Sequence, residues 1–92
     1  IGGFDVDENL VKELNLRVKS GFYVDELDSK SPARLSGILP GDVITKINDK
    51  SIKGFDEIAQ VMKYTKKGDI LQISVNRDGK DMLLPTALKK GL

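Results

Sequence analysis

Hydrophobic and polar positions change period several times along the chain. Phe4 and Val6 alternate with Asp5 and Asp7, the period-two signature of a short strand. From Glu8 the spacing lengthens. Leu10, Val11 and Leu14 recur at helical intervals among Asn9, Lys12 and Glu13, which predicts a short amphipathic helix ending near Asn15. After Gly21 the alternation returns over Phe22 to Leu27, with Phe22 and Val24 expected to face a core. Ser31-Pro32-Ala33-Arg34-Leu35 then reads as a helix of one to two turns, closed by Gly37. Ser31 is placed to cap it and Pro32 occupies the first helical position, where a missing N–H costs nothing.

Leu39-Pro40-Gly41-Asp42 is a turn, and Val43 to Ile47 a third strand. Asn48-Asp49-Lys50 forms a tight hairpin before a brief return at Ser51-Ile52. Between Gly54 and Thr65 the helical period is strongest, with Phe55, Ile58, Ala59, Val61 and Met62 set against Asp56, Glu57, Gln60 and Lys63. Its acidic first turn and the lysines after its end suit the helix dipole. Ile70 to Val75 is a fourth strand, with Ile73 and Val75 alternating, and Asp78-Gly79 signals a second hairpin. The strand returning from Lys80 is expected to stop pairing at Pro85, which has no N–H to give. The elements sum to a small α+β domain over residues 1–88 with a frayed tail over 89–92.

Composition narrows the chemistry more than it shapes the fold. Ninety-two residues fit one domain, and 39% hydrophobic against 32% charged residues is ordinary globular usage. Fifteen basic and 14 acidic residues leave a net charge of +1, so no broad field draws the chain to nucleic acid or an anionic membrane. The apolar runs are too short to span a bilayer. There is no cysteine and no histidine, which removes thiolate sites, the usual base of serine and cysteine triads, and the commonest zinc ligand. Neither a metal nor a cofactor is expected, and the domain is expected to be non-catalytic. Starting at Ile1, the sequence reads as a piece of a larger protein.

Several local patterns have plain explanations. Asp5-x-Asp7-x-Asn9 imitates the start of a calcium loop, yet Leu10 stands where glycine is needed and Leu16 where a bidentate Glu is needed. Asp25 and Glu26 are adjacent on a strand and so point to opposite faces, unlike a catalytic carboxylate pair. Phe55, Ile58 and Met62 are expected in the core, because an amphipathic helix buries one face in any fold.

Five segments stand in an informative order. They are Ile1-Gly2-Gly3-Phe4-Asp5-Val6; Gly21-Phe22-Tyr23-Val24; Ser31-Pro32-Ala33 through Gly37 to Pro40-Gly41-Asp42-Val43-Ile44; Asn48-Asp49-Lys50 before a helix; and Gly68-Asp69 with the Val75 to Lys80 hairpin. Together they resemble a PDZ domain of the bacterial HtrA (Deg) protease type across nearly the whole chain. The resemblance implies a PDZ-like fold of the α+β class: a five-to-six-stranded, partly open barrel or sandwich capped by two helices. It also implies capture of C-termini or extended peptide segments by strand addition, an upstream protease domain in a serine endopeptidase, and a periplasmic or envelope location. An oligomeric parent is compatible with it. Another envelope peptidase or secretion component, or a structural domain with no peptide ligand, are the alternative settings.

Strand addition needs three parts: a loop of converging N–H groups for a carboxylate, an open strand edge, and an apolar wall. Gly2, Gly3 and Phe4 are the expected loop. Phe4, Asp5 and Val6 are the expected strand, and Ile58, Val61 and Met62 supply the groove wall. In the family's loop pattern the residues matching Gly2 and Phe4 are both hydrophobic, so one pocket side chain is missing here. A Gly3→Asp change is expected to weaken binding and leave the fold intact.

Overall fold

In a computed structural model of the chain, which describes residues 1–89 and 92, six strands form one antiparallel sheet in the order β1-β2-β3-β5-β6, with β4 pairing β3. The strands are β1 (Gly2–Asp5), β2 (Phe22–Glu26), β3 (Val43–Ile47), β4 (Lys50–Ser51), β5 (Ile70–Arg77) and β6 (Lys80–Ala87). Three helices join them among the described residues: α1 (Glu8–Leu14), α2 (Pro32–Leu35) and α3 (Phe55–Lys63). The core is aliphatic. Val24, Ile38, Ile44, Ile47, Ile73 and Val75 are fully buried: Ile73 and Val75 alternate on β5, Ile44 and Ile47 flank a register shift in β3, and Ile38 comes from the turn after α2.

The local signals act as their chemistry requires. Ser31 Oγ accepts from Arg34 N–H at 3.2 Å, and Pro32 opens α2. Asp7 caps α1 by accepting from Leu10 N–H at 2.8 Å, and Asn15 closes that helix in the left-handed conformation. α1 buries none of its residues, so its apolar stripe lies across the surface instead of entering the core.

Two expectations fail for tertiary reasons. Pro85 does not end β6, which pairs with β5 as far as Ile70 opposite Ala87. The hairpin closes on Arg77 opposite Lys80, and alternation from there puts Pro85 at a position whose N points away from β5. β6 is an edge strand, so the proline faces solvent and interrupts no bond of the ladder. Phe55 is not a core residue. It is 48% exposed, with its ring centroid 5.8 Å from that of buried Phe22. Ile58 takes the core position of α3, at 2% exposure.

One buried ion pair braces the turn before β3. Asp42, 1% exposed, accepts from Arg77 Nε at 2.8 Å through Oδ1, and through Oδ2 from Arg77 Nη2 at 2.7 Å and Leu39 N–H at 2.9 Å. Arg77 Nη2 also donates to the Gly37 carbonyl at 2.8 Å. The hydrogen bond to Asp42 raises the Arg77 guanidinium above its ordinary range, against an opposing desolvation effect. In the expected tail, Leu92 is half-buried against the core, while Lys90 and Gly91 lie outside the described residues.

Candidate functional site

The main path of the sheet ends in β1 and β6, while the two-residue β4 pairs β3 alone, and the two long edges are not equivalent. On β6, Pro85 removes an outward N–H from the middle of the edge. β1 has no proline. It pairs with β2 through Gly3 opposite Val24, Phe4 opposite Tyr23 and Asp5 opposite Phe22. Val6 N–H donates to the Gly21 carbonyl at 2.9 Å, which fixes the phase of the ladder. Backbone groups alternate sides along a strand, so Phe4 also faces β2, while Gly3 and Asp5 turn their N–H and C=O to the open side. Val24 confirms the phase: its N–H goes to the Asp42 carbonyl and its C=O accepts from Gly41 N–H, both away from β1.

The expected site residues therefore separate by role. Gly3 and Asp5 offer backbone groups on the open edge. Phe4 and Val6 commit theirs to β2. Val6 is buried at 8% exposure, whereas the Phe4 side chain is 53% exposed. Phe4 borders a cleft of about 500 Å³ shared with Leu10 and Glu13 of α1. On α3, Ile58 belongs to the core, and Val61 and Met62 are half-buried against it.

At the groove, Gly3 and Gly54 are dictated by close approach. A Cβ on Gly3 would lie 1.9 Å from the Tyr23 carbonyl oxygen and 3.0 Å from the Phe22 ring. No side chain fits without moving β1, so Gly3→Asp would not leave the fold intact; that expectation is overturned. Gly2 is unconstrained by comparison, since its Cβ would meet only Glu26 Cβ at 3.8 Å.

The second glycine joins the two walls of the groove. Gly54 is the N-cap residue of α3 and has no side chain with which to cap it. Asp5 supplies the acceptor from β1: its Oδ1 takes the Phe55 N–H at 2.8 Å, a contact spanning 50 residues. A Cβ on Gly54 would sit 2.6 Å from the Asp5 carboxylate, so glycine is what lets that carboxylate reach the helix. Glu57 Oε1 completes the cap, accepting from Lys53 N–H at 3.0 Å and Gly54 N–H at 2.9 Å. Sequence periodicity does not reveal Asp5 as a cap, because its partner is remote. The available signal is a helix start whose N-cap residue is glycine.

Comparison with known proteins agrees with this geometry. A family model described as "PDZ domain" matches residues 5–88. A probable periplasmic serine endoprotease, DegP-like, from Buchnera aphidicola is 34% identical over 91 residues, covering 98% of this chain and 19% of its own length. The crystal structure of the HtrA3 PDZ domain bound to a phage-derived ligand, FGRWV, superposes with a TM-score of 0.82 at 30% identity, covering 95% of this chain and 79% of that one. The HtrA-type protease AlgW with decapeptide matches at a TM-score of 0.79 and 30% identity, over 90% of this chain and 26% of that one. The chain thus spans under a fifth of the length of the curated relatives it matches. Strand order, edge geometry and these likenesses agree: the chain belongs to the PDZ domain family and is of the HtrA/Deg protease type.

Proposed function

We propose that this domain captures a C-terminus, or an extended segment, of another protein by adding it as a strand to β1. The observation that carries the reading is the unpaired side of β1, where Gly3 and Asp5 turn their backbone groups outward beside α3. Gly3, whose N–H faces the open side, holds the carboxylate, with Gly2 and Phe4, the other residues of the expected loop, on either side of it. Val61 and Met62 form the apolar wall for the terminal side chain. The ligands named for the HtrA3 and AlgW structures support a peptide as the occupant.

In its parent the domain serves as the substrate-recognition or regulatory module of an envelope serine protease of HtrA type, with the protease domain upstream. The periplasmic naming of the curated relatives supports that location. Fluorescence polarisation with a labelled pentapeptide tests the binding reading. Saturable binding of the free carboxylate form, weakened at least tenfold on C-terminal amidation, is the expected result. Binding of neither form would leave a purely structural domain.

A further inference from the structure

We propose that Asp5 selects captured C-termini carrying a cationic side chain at the third-from-last residue. The proposal rests on strand addition to β1 and specifies what that strand contains.

The register follows from the open edge. Gly3 and Asp5 are the outward-facing positions and lie two residues apart. A peptide running antiparallel to β1, with its carboxylate at the Gly3 N–H, pairs its last residue with Gly3. Its third-from-last residue then pairs with Asp5. Directly opposed residues on antiparallel strands share a face, with Cβ atoms about 4.5–5.5 Å apart. That peptide side chain therefore emerges beside the Asp5 carboxylate.

The carboxylate is held in place and still has capacity to accept. Oδ1 takes the Phe55 N–H, while Oδ2 has no hydrogen-bond partner among the described residues. A carboxylate offers about four lone-pair sites, so a guanidinium or ammonium can be received without releasing α3. The helix start adds roughly half a positive charge, which opposes a cation. Asp56 and Glu57 in the same turn outweigh it, and Lys53 is the single cationic side chain among residues 53–57. The half-exposed ring of Phe55 gives the stem of a long cationic side chain an apolar surface. In the HtrA3 ligand FGRWV, arginine stands at the same count from the C-terminus.

The test uses three probes, FGRWV, FGAWV and FGEWV, titrated into the 92-residue chain and into its Asp5→Asn variant. Asparagine keeps an oxygen for the Phe55 N–H and loses only the charge; matching thermal unfolding curves verify that. On the native chain, affinity should fall from arginine to alanine to glutamate, about tenfold overall at low salt, and the spread should shrink as salt rises. In Asp5→Asn the spread should contract to about twofold. Equal binding of the three peptides by the native chain, or an undiminished spread in Asp5→Asn, overturns the proposal. If no peptide binds at all, the strand-addition reading fails and the proposal falls with it. The native spread and its salt dependence decide the matter even if the variant is unstable.

Discussion

The Asp42–Arg77 pair permits a prediction with an internal asymmetry. Its partners differ in burial: the Asp42 side chain is 1% exposed and that of Arg77 29%. Arg77→Met leaves a carboxylate sealed in protein with the Leu39 N–H as its one remaining side-chain hydrogen bond. Breaking a buried pair this way costs about 3–5 kcal/mol, and partial solvent access at Arg77 argues for about 3. Asp42→Asn instead strands a guanidinium that can turn toward water, so the expected cost is about 1.5–2 kcal/mol. Total stability for a chain of this size is about 5–14 kcal/mol, so both variants still fold.

With a urea slope of about 1–1.5 kcal/mol per molar, the midpoint should drop by about 2–3 M for Arg77→Met and about 1–2 M for Asp42→Asn. The double variant should lose less than the sum, because either substitution already breaks the pair. Equal midpoint losses, or a larger loss for Asp42→Asn, would refute the burial argument. A shift below about 0.5 M for Arg77→Met would show that the pair does not brace the turn.

Two further outcomes follow from the edges of the sheet. Gly3→Ala should cost about 2 kcal/mol by urea denaturation and move the amide resonances of Phe22 to Val24, since its Cβ meets the Tyr23 carbonyl, whereas Gly2→Ala should change stability by less than about 0.5 kcal/mol. Pro85→Val should leave stability within about 0.5 kcal/mol and increase self-association in sedimentation velocity, because it restores an outward N–H to β6.

What could be read from the sequence was what local chemistry decides. Ser31 and Pro32 announce α2, Asp78-Gly79 the last hairpin, and the alternation around Ile73 and Val75 the inner face of β5. What could not be read was decided by partners far along the chain. The side to which Pro85 points depends on β5, and the exposure of Phe55 depends on Phe22 and Ile58 taking the space beneath it. At the proposed site the sequence pointed to the stretch Gly2 to Val6. Assigning roles within it required the phase of the ladder, which one bond from Val6 to Gly21 fixes. The Asp5 cap lay beyond reach for the same reason, its partner being 50 residues away.

That borrowed cap bears on how the groove assembles. A nine-residue helix is too short to persist alone, and the N-cap residue of α3, Gly54, has no side chain to accept the Phe55 N–H. Its cap is completed at Phe55 only once β1 has docked on β2 and presented Asp5. The two walls of the groove therefore form one cooperative unit, gained late in folding because it closes a long loop, and released together in local opening. Amide exchange at Phe55 should report the opening of β1, so a peptide that holds the strand should slow exchange at the helix start.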